Sequence, residues 1–196
     1  MADSNGIRIA VIPGSVRPGN YTAKAVDLLC DEIGNHDEIG LDRFDLAELN
    51  LPAPGSGGDT PAIEDFRERV SNATGVIFAT PEYHGSFSSL TKLAIENLGF
   101  PSVLGGKPVG LLGVAAGVIG AIKSLEQLRG VCSHVGAIVL PGPVSVAGVQ
   151  KVFDEDGNCL DEGAEKRIRG LATTLIDYIR GHICPRIALE QMVRSG

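Results

Sequence analysis

The sequence predicts an α/β fold, a doubly wound parallel sheet of five strands in the order 2-1-3-4-5 with helices on both faces. Short apolar runs rich in β-branched residues alternate along the chain with longer helical patterns. Right-handed crossovers between successive parallel strands favour this order. The strand candidates are Ile7–Ile12, Ile39–Asp45, Gly75–Thr80, Pro108–Gly113 and Ala137–Leu140, and the helix candidates are Tyr21–Gly34, Pro61–Ala73, Ser89–Leu98, Val118–Val131 and Gly163–Arg180.

The loop after the first strand is a candidate phosphate site. The strand is nearly continuous in apolar character, and small polar residues separate it from the helix that begins near Tyr21. Amides at a helix N-terminus attract an anion, and the Arg17 guanidinium can hold two phosphate oxygens. The candidate ligands are Ser15, Arg17, Asn20 and Thr22. A plain capped turn between strand and helix is the alternative.

Two common nucleotide motifs are absent from this loop. Gly14 and Gly19 have the spacing of a P-loop, but Asn20 stands where that motif has its lysine. Val16 stands where a dinucleotide-binding motif has its second glycine. We therefore expect a monophosphate held by side chains as well as backbone, and not a nucleoside triphosphatase.

A second candidate loop follows the strand Gly75–Thr80 and so leaves the sheet at the same edge, where ligands bind in such folds. Pro81 stiffens the exit from the strand, and Tyr83 offers an aromatic face to a flat ring. Glu82 and His84 are candidates to orient that ring. The alternatives are a helix cap or ion pair for Glu82 and a surface loop histidine for His84.

These loops resemble those of the NADPH-dependent FMN reductase family of flavodoxin-like proteins, in its quinone, azo and chromate reductase branch. The family's phosphate loop reads Gly-Ser-x-Arg-x-x-Ser-x-Asn, which Gly14, Ser15 and Arg17 match, while Asn20 and Thr22 stand where serine and asparagine are usual. Its flavin loop reads Pro-Glu-Tyr-Asn-x-Ser-x-Pro-Gly; here His84 replaces the asparagine and Ser88-Ser89 replaces Pro-Gly. Gly113–Gly120 resembles the third loop, with Val114 and Ala115 in place of serines. The resemblance covers about Ile7–Ile179.

The resemblance implies an FMN-dependent NAD(P)H oxidoreductase. NADPH or NADH would donate hydride to bound FMN, and electrons would pass in ping-pong fashion to quinones, azo compounds, chromate, ferric chelates or free flavin. Because the flavin carries the redox chemistry, no catalytic side chain is expected. The implied FMN-binding residues are Ser15, Arg17, Asn20, Tyr21, Thr22, Pro81, Glu82, Tyr83, His84, Ala115, Ala116 and Gly117, the last three through backbone amides.

Two other functions remain open. A flavodoxin-like electron carrier would bind FMN but react poorly with nicotinamide; such carriers often sandwich the ring with tryptophan, whereas this chain has no Trp and 3 Tyr. A non-catalytic nucleotide-binding module would bind no flavin at all. Measurement of bound FMN and of its reduction by NADPH distinguishes the three.

Composition agrees with one domain of 196 residues, with a core at about 7–180 and a tail at 181–196. The net charge of −7 argues against nucleic acid, and no apolar run is long enough for a membrane span. We expect a cytoplasmic protein. Its 4 cysteines and 4 histidines lack metal-ligand spacing, so we expect reduced thiols and no metal.

The resemblance also implies a homodimer or homotetramer. Its interface helices would be Lys92–Phe100 and Ile119–Arg129, and the tail Ile183–Gly196 is a candidate to dock on a neighbour. Leu51–Pro61 is expected to be an exposed connection and Pro141–Gly157 an irregular segment, because both are rich in proline and glycine.

Overall fold

The computed structural model describes residues 6–195, so the predicted tail's last residue, Gly196, lies outside the described residues. Within that range the strands are β1 (Ile7–Pro13), β2 (Ile39–Arg43), β3 (Gly75–Tyr83), β4 (Ser86–Phe87), β5 (Pro108–Val114), β6 (Ile138–Val139) and β7 (Val144–Val146). The helices are α1 (Tyr21–Gly34), α2 (Pro61–Asn72), α3 (Ser89–Glu96), α4 (Ile122–His134), α5 (Glu162–Tyr178) and α6 (Cys184–Ser195).

The central sheet has the order β2-β1-β3-β5-β6, and all of these neighbours are parallel. Alternate residues of β1 enter two separate cores: Ile9 and Val11 face α1 and α5, whereas Ala10 and Ile12 face the side of α2, α3 and α4. β1, like β3 and β5, is therefore buried on both faces for most of its length, which explains the continuous apolar character of these strands. The predicted flavodoxin-like fold class is confirmed. The sheet has seven strands and not the predicted five, because β4 and β7 are added beside the five-strand path.

The fifth strand position differs from the prediction, because two short strands share it. β6 pairs with the start of β5, through Ile138 opposite Pro108, and β7 pairs with its end, through Val146 opposite Val114. Pro141-Gly142-Pro143 separates them, since proline has no N–H to donate to a ladder. The segment predicted to be irregular thus contains β7 and a 3-10 turn at Val149–Lys151.

The largest of the other boundary differences lie at β3, α4 and α5. β3 continues to Tyr83 because its last residues pair with β4 in a hairpin. α4 begins at Ile122 and not at Val118, because the residues between them form part of the loop after β5. α5 continues through a π-helical turn into α6, so the described part of the predicted tail is helical.

No helix within residues 6–195 combines the length and the hydropathy that crossing a bilayer requires. In the same range, no three His, Cys, Asp or Glu side chains are grouped to hold a metal ion.

Candidate functional site

A cavity of about 380 Å³ lies at the carboxyl edge of the sheet, where the loops after β1, β3 and β5 meet. Its lining consists of Ser15, Arg17, Pro18, Gly19, Asn20, Tyr21, Thr22, Pro81, Glu82, Tyr83, Val114, Ala115, Ala116 and Val149. Every predicted site residue except His84 and Gly117 is in this lining. The convergence follows from the topology, because all three strands run in the same direction.

The loop after β1 can approach β3 closely only because residue 14 is glycine. The Gly14 amide donates to the Ala79 carbonyl at 2.6 Å, which holds the loop against the end of β3. A Cβ atom built on Gly14 would lie 1.9 Å from Thr91 Oγ1 and 2.9 Å from Ser88 Oγ. Any larger residue would therefore displace the loop or the start of α3.

One end of the cavity has unused hydrogen-bond donors. The Ser15 hydroxyl is buried and has no partner within the described chain, which is an uncommon state for a buried polar atom. Arg17 is exposed, and no ion pair or side-chain hydrogen bond engages its guanidinium in residues 6–195. The amides of Tyr21 and Thr22 belong to the first turn of α1 and lack intrahelical partners. A hydroxyl, a cation and a helix N-terminus together fit the phosphate of FMN.

Asn20 instead holds the shape of this loop. Its Oδ1 accepts a hydrogen bond from the Ala23 amide at 2.8 Å, which caps α1. Its Nδ2 donates to the Arg17 carbonyl at 2.6 Å. Oδ1 is therefore occupied, whereas the second hydrogen of Nδ2 has no acceptor within residues 6–195. The sequence motif could not distinguish this cap from a direct ligand contact.

The residues after β3 form a hairpin with a two-residue turn. His84 and Gly85 have φ angles of 51° and 75°, and Tyr83 pairs with Ser86. Successive positive φ angles match the twist of a tight hairpin. His84 is exposed and outside the cavity lining, which supports the alternative of a surface loop histidine. Tyr83 lines the cavity with 40% of its surface exposed, so it can present an aromatic face at the mouth.

Glu82 connects the hairpin to α4. Its Oε2 accepts a hydrogen bond from the Ser124 amide at 3.1 Å. The residue at the helix's own cap position, Ala121, has no side chain that can do this. The cap therefore comes from a neighbouring loop, as the alternative for Glu82 proposed, and a carboxylate there also suits the helix dipole.

The third loop offers fewer amides than predicted. The Ala115 amide donates to the Val146 carbonyl of β7 at 2.9 Å and so is not available to a ligand. The amides of Ala116 and Gly117 make no hydrogen bond with any described residue. Val149 lines the cavity from the turn after β7, and no sequence signal indicated it, because an isolated valine in a Gly/Pro-rich segment matches no binding motif.

The buried cysteines lie away from this cavity. Cys132 is fully buried on α4, and burial raises the pKa of its thiol to about 12. Burial also raises the pKa of Cys30 to about 11. All four thiols are free in the structure, and these two pack as small apolar groups in or beside the core.

A doubly wound parallel sheet that carries unpaired donors and an aromatic side chain at its carboxyl edge is typical of flavodoxin-like proteins, which bind a flavin at that edge. A model of the NADPH-dependent FMN reductase family matches residues 7–151, and the chain belongs to this family. The predicted oxidoreductase class, with FMN as cofactor and NAD(P)H as donor, is thereby confirmed.

Two relatives and one solved structure illustrate the similarity. An FMN-dependent NADPH-azoreductase of Staphylococcus haemolyticus is 31% identical over 78% of this chain and 80% of its own. A 2-hydroxy-1,4-benzoquinone reductase of Burkholderia sp. is 26% identical over 89% of this chain and 97% of its own. The flavoenzyme FerB of Paracoccus denitrificans, an NAD(P)H:(acceptor) oxidoreductase, has a TM-score of 0.74 at 24% identity and covers 90% of this chain and 98% of its own. This last likeness concerns the fold alone.

Proposed function

We propose that the cavity binds FMN with its phosphate against Ser15 and Arg17 and its ring at Tyr83. Electrons then pass from NADPH or NADH to a small acceptor at the open mouth. The observation that carries this assignment is the buried, unpartnered Ser15 hydroxyl beside an unpaired guanidinium, in the same cavity as an exposed aromatic face.

When bound, FMN would supply the redox chemistry between the nicotinamide and the acceptor. The chain's own residues bind and orient. Arg17 and Ser15 neutralise and hydrogen-bond the phosphate, together with the first amides of α1. Pro81 and Tyr83 border the ring, while the amides of Ala116 and Gly117 are available to its polar edge. Glu82 keeps the hairpin in register with α4 and does not act as an acid.

The mouth of the cavity favours neutral aromatic acceptors. The loop that continues from Ala116 exposes Val118 and Ile119, whose surfaces are 92% and 70% accessible. Planar apolar molecules bury such surface, whereas a hydrated oxyanion gains nothing from it. We therefore propose quinones and azo compounds, the substrates in the names of two relatives, ahead of chromate, ferric chelates and free flavin.

Self-association is a further part of the proposal. A groove of about 660 Å³ runs between α3 and α4, and beside it Phe100 is 98% exposed. We propose that a second copy of the chain covers this face in a homodimer, and that two dimers form a homotetramer, in the cytoplasm where the nicotinamide donors are available. Light scattering should give a multiple of the chain mass, and Phe100→Glu should lower it. A monomeric mass at high concentration contradicts the proposal.

The function itself is tested by visible spectroscopy under anaerobic conditions. Protein purified with FMN should lose its oxidised flavin band when NADPH is added and regain it with a quinone. Bound flavin that NADPH leaves oxidised would indicate an electron carrier. No bound flavin, with or without added FMN, would overturn the site and favour a non-catalytic module.

A further inference from the structure

Three buried hydroxyl groups form a cluster behind the phosphate loop. Thr80 is buried near the end of β3, Ser88 precedes α3, and Thr91 lies in the first turn of α3. Ser88 Oγ lies 2.9 Å from Thr91 Oγ1, which lies 3.2 Å from Thr80 Oγ1. The Ser88 amide also donates to Thr80 Oγ1 at 3.0 Å. The cluster therefore connects the end of β3 to the start of α3.

Ser88 extends this cluster to the phosphate loop. Its hydroxyl donates to the Gly14 carbonyl at 2.6 Å, and that carbonyl accepts no other hydrogen bond within residues 6–195. The peptide between Gly14 and Ser15 is planar and trans, so its N–H points opposite to its C=O. The Ser15 amide therefore points away from the hydroxyl cluster, and no described residue accepts its hydrogen bond.

We propose that Ser88 is a positioning residue for the FMN phosphate, acting through the peptide between Gly14 and Ser15. By holding the carbonyl, Ser88 keeps the Ser15 amide directed at the ligand, next to the buried Ser15 hydroxyl that has no protein partner. This inference rests on the proposed function, since it assumes that the phosphate binds in this loop. Ser88 itself lies outside the cavity lining and acts only through the loop.

Removal of the Ser88 hydroxyl has a defined consequence. A buried carbonyl without a donor is unfavourable, and glycine at position 14 allows the peptide to rotate until the carbonyl finds another partner. That rotation turns the Ser15 amide away from the phosphate. The flavin ring, bordered by Pro81 and Tyr83, does not depend on this peptide.

The test compares FMN with riboflavin, which has the same ring and no phosphate. Flavin fluorescence titration gives both dissociation constants for the wild-type protein and for Ser88→Ala. We expect the dissociation constant of FMN to rise about tenfold, which corresponds to the free energy of one hydrogen bond. The dissociation constant of riboflavin should change less than about twofold. Ser89→Ala is the matched control, because Ser89 is the exposed next residue, and it should change neither constant.

Ser88 also caps α3 by accepting from the Thr91 amide at 3.1 Å, so Ser88→Ala lowers stability as well. If that variant does not fold, Thr91→Val keeps the cap and the shape but removes the hydroxyl that supports Ser88. Thr91→Val should raise the dissociation constant of FMN about threefold and leave that of riboflavin unchanged.

Equal losses for both flavins in these variants, or no loss for either, overturn the positioning role. Failure of the proposed function looks different, because the wild-type protein would then bind FMN no more tightly than riboflavin. If Arg17→Ala abolishes the preference for FMN and Ser88→Ala preserves it, the phosphate site stands and the inference about Ser88 is wrong.

Discussion

Replacement of Arg17 with alanine isolates the phosphate site from the rest of the fold. The guanidinium is exposed and makes no ion pair with any residue between 6 and 195, so its removal should change the free energy of unfolding by less than about 0.5 kcal/mol. A hydrogen bond to a charged group contributes about 1.5–3 kcal/mol. Solvent screening at this exposed position favours the lower end, which corresponds to an FMN dissociation constant raised about tenfold.

The assay is quenching of flavin fluorescence at two salt concentrations, with thermal unfolding of the FMN-free protein alongside. Wild-type affinity should fall as salt rises, and the salt dependence should be weaker in Arg17→Ala because one charge pair has been removed. Arg167→Ala, which removes an exposed arginine of α5 outside the cavity lining, serves as control. Unchanged FMN affinity in Arg17→Ala would refute the phosphate assignment.

Three further predictions concern the supports of the site and the core. Gly14→Ala should destabilise the fold by about 1–3 kcal/mol, because its Cβ would lie 1.9 Å from Thr91 Oγ1, and should weaken FMN binding; thermal unfolding and titration measure both. Glu82→Ala removes the cap of α4 at Ser124 and should lower stability by about 1 kcal/mol, with a smaller loss in Glu82→Gln, in denaturant titrations. Cys132, whose pKa is raised to about 12 by burial, should resist an aromatic disulfide reagent at pH 8 in the native state and react only after unfolding.

Each of these has a result that contradicts it. Gly170→Ala on α5 meets no atom within 4 Å and replaces a glycine inside a helix, so it should stabilise the fold by about 0.5–1 kcal/mol. The same effect at Gly14 would mean that the close approach does not matter. If Glu82→Ala is as stable as the wild-type protein, Glu82 does not stabilise the start of α4. Rapid reaction of Cys132 in the folded protein would show that its helix opens readily.

The sequence was sufficient for the five-strand path of the sheet, because its central strands β1, β3 and β5 are largely buried on both faces and the helices between them are amphipathic. β4 and β7 escaped prediction because two or three residues are too few to show a periodicity. The start of α4 was predicted too early, at Val118, because apolar residues of an exposed loop have the same composition as a helix face. Local patterns do not record which side of the chain meets solvent.

The sequence predicted which candidate residues lie together more completely than it predicted their hydrogen bonds. Motif residues after successive parallel strands must converge at one edge, so their proximity follows from topology. The hydrogen-bond partners of these residues do not follow from the topology. The side chains of Asn20 and Glu82 cap α1 and α4, and the Ala115 amide donates to a carbonyl of β7. Which polar group remains free for a ligand depends on the hydrogen bonds of distant segments, and those appear only in the folded chain.

A crystal structure of the protein with FMN would locate the phosphate directly. We expect the phosphate within hydrogen-bond distance of Ser15 Oγ, the Arg17 guanidinium and the first amides of α1, with the ring beside Tyr83. A phosphate bound elsewhere, with Ser15 Oγ still lacking a partner, would show that this loop is not the phosphate site.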